Sequence, residues 1–165
     1  MEYKMKALTI KQPWAWAIAE GLKKYETRSW KTPYPGFVAI HAGRGLDEAE
    51  QFMIASDVKL MKILKAHQVE IKNLPFGFVV AVARLVECYK TGSALTMTLD
   101  ADELTLGDFR SERYAWKLAW VSKLARPVPV LGMQRLWEWS VPDSMAGMVK
   151  LAMINSIRMA EGVKA

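Results

Sequence analysis

Apolar and polar positions along this chain change rhythm several times, and each change marks a predicted element. Lys6-Ala-Leu-Thr-Ile10 reads as a short strand, and after Pro13, which a first helical turn tolerates, Trp14 to Glu20 reads as a short helix. Gly21 stands where such a helix closes in the left-handed conformation, and a charged strand follows it. Pro33-Tyr-Pro-Gly36 is a turn, and Phe37 to Ala42 is apolar enough for a strand covered on both sides. From Asp47 the spacing turns helical. Ala49, Phe52 and Met53, then Leu60, Met61 and Leu64, recur at three to four residues, which fits one helix broken near Ser56-Asp57 or two short ones.

Asn73-Leu-Pro75 ends that region, and Phe76 to Cys88 is a long strand rich in valine and alanine, with Arg84 and Glu87 late in it, where the sheet meets solvent or a cleft. Residues 90–112 carry turn formers and acids and read as a loop with at most one helical turn. Tyr114, Trp116, Leu118 and Trp120 then alternate with Ala115, Lys117 and Ala119, the period-two pattern of a half-buried strand. Pro127 and Pro129 keep the next stretch extended and push it to a sheet edge. After Pro142-Asp-Ser144, a helix start, Met145, Val149, Ala152 and Met153 form an apolar stripe that must dock on this domain or on a partner. Short strands around one helical insertion, without strict strand–helix alternation, make the chain α+β or mainly β rather than doubly wound.

Composition narrows the picture. At 165 residues and 52% hydrophobic, the chain has enough for one domain with a real core, so a single domain over 1–165 is expected, with residues 140–165 a C-terminal helical extension. The 23 Lys+Arg against 17 Asp+Glu leave a formal charge of +6, which favours polyanionic partners. The single cysteine, Cys88, excludes an internal disulfide and a cysteine-rich zinc site, and it reads as a small buried hydrophobe. No apolar signal core opens the sequence and no stretch nears the ~20 apolar residues of a membrane span, so a cytoplasmic, unprocessed protein is the expectation.

The densest chemistry lies in Gly21-Leu-Lys-Lys-Tyr-Glu-Thr-Arg28, beside the aromatic run Pro13-Trp-Ala-Trp16. If the segment is extended, residues 24, 26 and 28 share one face and 23, 25 and 27 the other, whereas a bend brings Lys23 round towards Glu26. A lysine held near a carboxylate and an arginine can pair structurally, grip a phosphate, or have its pKa tuned for proton transfer. Among the seven tryptophans, Trp116, Trp120 and Trp137 are expected in the core. Trp14 and Trp30 flank the charged motif and are candidates to stack on unpaired bases. His41 and His67 are expected to be structural or surface residues. No H-x-x-x-H, phosphate-cradling glycine loop or G-x-S-x-G occurs, so neither a metal nor another cofactor is expected.

Leu8-Thr-Ile-Lys-Gln-Pro-Trp-Ala, Gly21, Lys23, Glu26 and Arg28 together resemble the signature of the ASCH domain, a member of the PUA-like superfamily. Phe37-Val-Ala-Ile-His-Ala-Gly43, Phe78 to Glu87, Gly107 to Trp116 and Arg126-Pro-Val-Pro-Val130 extend the resemblance in family order from about residue 6 to 139. It implies a small, mostly antiparallel, twisted β-barrel with flanking helices, and a cleft lined by Lys23, Glu26 and Arg28 that resembles the RNA-binding surface of PUA domains. The ligand or RNA site expected on this basis comprises Trp14, Lys23, Lys24, Tyr25, Glu26, Arg28, Trp30 and Arg44. Its partner is RNA, a single-stranded nucleic acid or a modified nucleoside, with no membrane involved.

Two enzymatic alternatives come with the resemblance. Some relatives deacetylate N4-acetylcytidine with a lysine, a threonine and a glutamate. Lys23 matches the lysine, Glu26 occupies the threonine position, and no acid aligns with the glutamate, although Asp108, Glu112 and the acids at 100–103 are candidates for the far wall of the cleft. The other alternative is a metal-independent ribonuclease, for which Lys23 with Tyr25 is the nearest acid–base pair. If the chain is an enzyme, Lys23 and Glu26 are its expected catalytic residues.

Overall fold

The computed structural model describes residues 2–162. Six strands form one sheet, β1 (Tyr3–Ile10), β2 (Tyr25–Arg28), β3 (Gly36–Ala42), β4 (Phe78–Lys90), β5 (Tyr114–Pro129) and β6 (Leu136–Val141). They lie in the order β2-β5-β4-β3-β1-β6. Only β1 and β3 run parallel, and the other four pairings are antiparallel. The fold is therefore α+β and mostly antiparallel, as expected. Closure into a barrel is not found, because β2 and β6 end the order at opposite edges. A four-residue edge strand offers few groups for closing the ladder, and the amides at the start of β2 are served instead by the Glu103 carboxylate.

The helical insertion resolves into two helices, α2 (Glu48–Ser56) and α3 (Val58–Ala66). Asp57 breaks them apart: it ends α2 in extended conformation while its carboxylate caps the Lys59 and Leu60 amides of α3. A short 3₁₀ turn (Ile71–Asn73) leads into β4. The segment expected as a loop with one turn holds two short helices, α4 (Ser93–Thr96) and α5 (Ala101–Leu106). The Asp100 carboxylate accepts from the Glu103 amide and starts α5, a local cap strong enough to organise an otherwise polar stretch. Past its first residues β5 is paired only with β4, so Pro127 and Pro129 do lie on an edge.

Helix α1 (Trp14–Ala19) and one face of the sheet enclose the main core, in which Leu8, Ile18, Ile40, Leu85 and Trp116 are almost fully buried. The other face is partly covered by α6 (Asp143–Ala160), whose Val149 and Ala152 pack with Val82, Leu124 and Val128. The predicted apolar stripe thus docks on this chain's own β4 and β5; residues 163–165 of the expected extension lie outside the described part. Ile54, Leu60 and Leu64 pack with Ala17 and Leu106, so the insertion supports both α1 and the end of α5. Cys88 is half-buried, and His41 is fully buried.

Candidate functional site

Helix α1 and strand β2 meet at Gly21, whose φ of +75° allows the turn that a side chain would strain. The Leu22 and Lys23 amides both donate to the Ala17 carbonyl, so the chain folds back before β2 begins. That bend, rather than a straight strand, decides where the charges go. Lys23 is 1% exposed, and its ammonium donates to the Tyr25 carbonyl at 2.6 Å and the Leu106 carbonyl at 2.7 Å. Glu26 Oε2 lies 3.6 Å from the same nitrogen. Burial pushes the Lys23 pKa below the usual lysine range, while Glu26 and Glu103 pull it back up.

Glu26 also holds Arg28, with Oε1 at 3.0 Å from Nε. That ion pair is close but poorly directed, since Arg28 Nε is buried and donates no hydrogen bond. Arg28 Nη2 donates to the Thr9 carbonyl at 2.7 Å, and the side chain remains 24% exposed. Lys23, Glu26 and Arg28 therefore form one contiguous charge chain. Glu26 pairs in register with Trp116 of the main core, so Glu26 and Arg28 lie on the α1 side of the sheet.

Lys24 and Tyr25 face elsewhere. With Gly21, Lys23, Glu103, Lys117 and Trp120 they line a cleft of about 460 Å³ at the other side of β2. Glu26 and Arg28 do not line it, so the expected common cleft is divided by the strand itself. Arg44 lines a separate cavity with Phe76, Gly77 and Val130. Trp30 meets Trp116 edge-on at 4.5 Å and carries the Arg135 guanidinium 5.4 Å from its ring centre. Trp14 packs between two core clusters and is only half-exposed. Both expected stacking residues thus already have partners within the fold.

Of the candidate acids, Glu103 comes closest to the motif. Buried at 3% exposure, its carboxylate accepts from the Lys24 and Tyr25 amides at 2.9 Å each. Burial raises its pKa above the ordinary 4.5, and the two amides and Lys23 oppose that rise. Asp108 sits beside β2, its amide donating to Thr27 Oγ1, and Arg110 and Arg113 lower its pKa against the effect of burial. Glu112 instead pairs with Lys90 at the surface. Sequence reasoning misses Lys117 and Trp120 as cleft residues, although the outward-facing Lys117 is visible in the alternation of β5. Trp120, expected in the core, is half-exposed because φ of +48° at a β-bulge turns it out of the alternating pattern.

Among the described residues no cluster of three or more His, Cys, Asp or Glu side chains is placed to hold a metal, and no helix is long and apolar enough to cross a membrane.

The ASCH domain family model matches residues 8–128. Human activating signal cointegrator 1 is 29% identical over 82 residues, which is 49% of this chain and 14% of that protein, so the chain spans only a small part of its relative. ASCH from Zymomonas mobilis aligns over 88% of this chain and 93% of its own at 14% identity, with a TM-score of 0.49. A serine-to-alanine mutant of the same Zymomonas mobilis protein aligns over 90% and 94% at 16% identity, with a TM-score of 0.46.

Proposed function

Because the chain belongs to the ASCH domain family, we propose that it binds RNA, or a modified nucleoside of RNA, through the segment from Lys23 to Trp30. The observation that carries this reading is Arg28. Its guanidinium is oriented by Glu26 and the Thr9 carbonyl yet remains partly open to solvent. A planar cation held in this way is preorganised for a phosphate or a base edge, which it can grip with two parallel N–H donors. Lys24 and the net charge of +6 add a field that attracts a polyanion.

A deacetylase or ribonuclease centred on Lys23 has less support. Two carbonyl oxygens and a carboxylate already surround its ammonium, and the fold buries it. A general base or nucleophile needs a free lone pair within reach of substrate; burial lowers the Lys23 pKa, but its ammonium is spent on the Tyr25 and Leu106 carbonyls and Glu26, and its burial keeps it from a substrate. Fluorescence anisotropy of a labelled single-stranded RNA tests the reading. Affinity should fall steeply with added salt as phosphate contacts release counterions, and it should weaken in Arg28→Ala. Salt-independent binding would point to a neutral small ligand, and deacetylation of N4-acetylcytidine lost in Lys23→Ala would reverse the ranking of binding over catalysis.

A further inference from the structure

The sheet face opposite Arg28 is only half covered. Helix α6 packs on Val82, Leu124 and Val128, and beyond its edge the same face continues across β4 and β5 to β2, where Phe109 meets the Tyr25 ring edge-on at 6.4 Å. Register fixes what that open half carries. Tyr25 pairs with Lys117 and Lys117 with Glu87, so all three project to one side, and Tyr89 follows two residues after Glu87. The Tyr25 and Tyr89 ring centres are 6.3 Å apart. Arg84, two residues from Val82 and exposed, lies over Phe37 at 5.9 Å and over Trp120 at 5.8 Å.

Trp120 has a particular place in this arrangement. A bulge in β5, where Trp120 and Val121 stand opposite a single residue of β4, throws the indole onto this face. The positive φ is costly for so large a residue. A merely apolar role would be met more cheaply by the alternation that the rest of β5 follows. The indole instead lines the cleft of about 460 Å³ with Tyr25, Lys24 and Lys117. Glu87 is the acid in this row, and it accepts a hydrogen bond from the Tyr89 hydroxyl, which fixes the ring.

We infer that this open sheet face is a platform for unpaired, single-stranded RNA, with bases stacking on Trp120, Tyr25 and Tyr89 and the backbone drawn along Arg84, Lys117 and Lys24. The inference rests on the RNA reading above and adds to it a second contact surface, on the other side of β2 from Arg28. Aromatic rings interleaved with cations on a sheet suit single strands because every base has a stacking face, whereas a duplex hides its bases. Charge complementarity selects the partner: the acids of this surface are already engaged, Glu87 by the Tyr89 hydroxyl, Glu103 by the Lys24 and Tyr25 amides and Asp100 by the Glu103 amide, whereas Arg84, Lys117 and Lys24 make no ion pair among the described residues.

The test uses the full chain and a fluorescent uridine-rich 12-mer, read by anisotropy over a salt series. Tyr89→Ala is expected to weaken binding roughly tenfold, as the loss of one stacking platform does. Lys117→Ala, a half-exposed change that leaves the core intact, is expected to flatten the log–log salt dependence by about 0.7. A duplex of the same length should bind more weakly than the single strand. If Tyr89→Ala and Lys117→Ala both bind like the unmodified chain while Arg28→Ala is impaired, the platform is wrong and the Arg28 site stands. If the unmodified chain binds no RNA, both fall. Equal affinity for duplex and single strand would also overturn the platform.

Discussion

Lys23 Nζ donates to the Leu106 carbonyl at 2.7 Å, joining residues 83 positions apart in sequence. The end of α5 is thereby tied to the turn before β2, and the same ammonium lies against Glu26. A buried cation with oxygen on three sides organises its surroundings: it fixes where Glu26 points, and Glu26 in turn fixes Arg28. The motif's lysine thus positions, while its arginine is the member left open to solvent.

Lys23→Met should consequently act on stability first. Removing the ammonium leaves two buried carbonyls without a donor and strips Glu26 of one of its two cations. Leaving buried polar groups unpaired costs about 3 kcal/mol in total. Urea unfolding should show that loss as a lower midpoint with an unchanged slope, whereas Arg28→Ala should lose far less. Equal stability of Lys23→Met and the unmodified chain would remove the positioning role.

Glu103 gives the pH dependence a definite sign. Its carboxyl titrates above 4.5 in the folded chain because it is buried. Between 4.5 and that raised value the folded state holds a proton that the unfolded state has released. Glu103 therefore contributes stability that is fully present below 4.5 and is lost as pH rises through the folded pKa. Asp108, lowered by Arg110, works the other way: its contribution is present above 3.8 and disappears as pH falls through its depressed value. Unfolding free energies measured from pH 4.5 to 7 should decline less in Glu103→Gln than in the unmodified chain. An identical decline would mean that Glu103 does not carry it.

Much of this architecture is legible because it is written in local pattern. Period-two alternation locates β5, the Ser56-Asp57 break separates α2 from α3, and Gly21 marks the close of α1. Proximity of Lys23 to Glu26 follows from the bend that spacing allows. What stays hidden depends on contacts remote in sequence. Asp100-x-x-Glu103 has the look of a capping pair, in which the glutamate folds back on the cap residue, yet the Glu103 carboxylate leaves its own helix to serve amides 78 and 79 positions away. Trp120 follows the alternation on paper, and only the bulge reverses its side. The open sheet likewise departs from the barrel that the family resemblance implies, since no local signal states whether two edge strands will meet.

Gly132 sits where no side chain fits. A Cβ there would come within 2.5 Å of His41 Nδ1 and 2.8 Å of Thr9 Oγ1. His41 bridges Thr9 Oγ1 and the Val130 carbonyl, and Thr9 Oγ1 also donates to the Met133 carbonyl and accepts from the Trp137 indole. Gly132→Ala must therefore push the 130–133 segment away from this network. Overpacking of this kind costs about 1–3 kcal/mol. Thermal unfolding should register the change as a drop of several degrees, and an unshifted midpoint would show that the segment yields freely.

Arg28→Lys separates charge from geometry. Lysine keeps the positive charge, so the number of counterions released on binding RNA, and hence the slope of log affinity against log salt, should stay the same. It loses the planar fork that reaches the Thr9 carbonyl while resting against Glu26. If the guanidinium is a preorganised contact, Arg28→Lys should weaken binding about tenfold at every salt concentration. Arg28→Ala should do the same and also flatten the slope by about 0.7. Were Arg28→Lys to bind as tightly as the unmodified chain, the arginine would be acting as a point charge in a diffuse field. The oriented pair with Glu26 would then belong to the fold, and ligand recognition would have to reside on the Trp120 face.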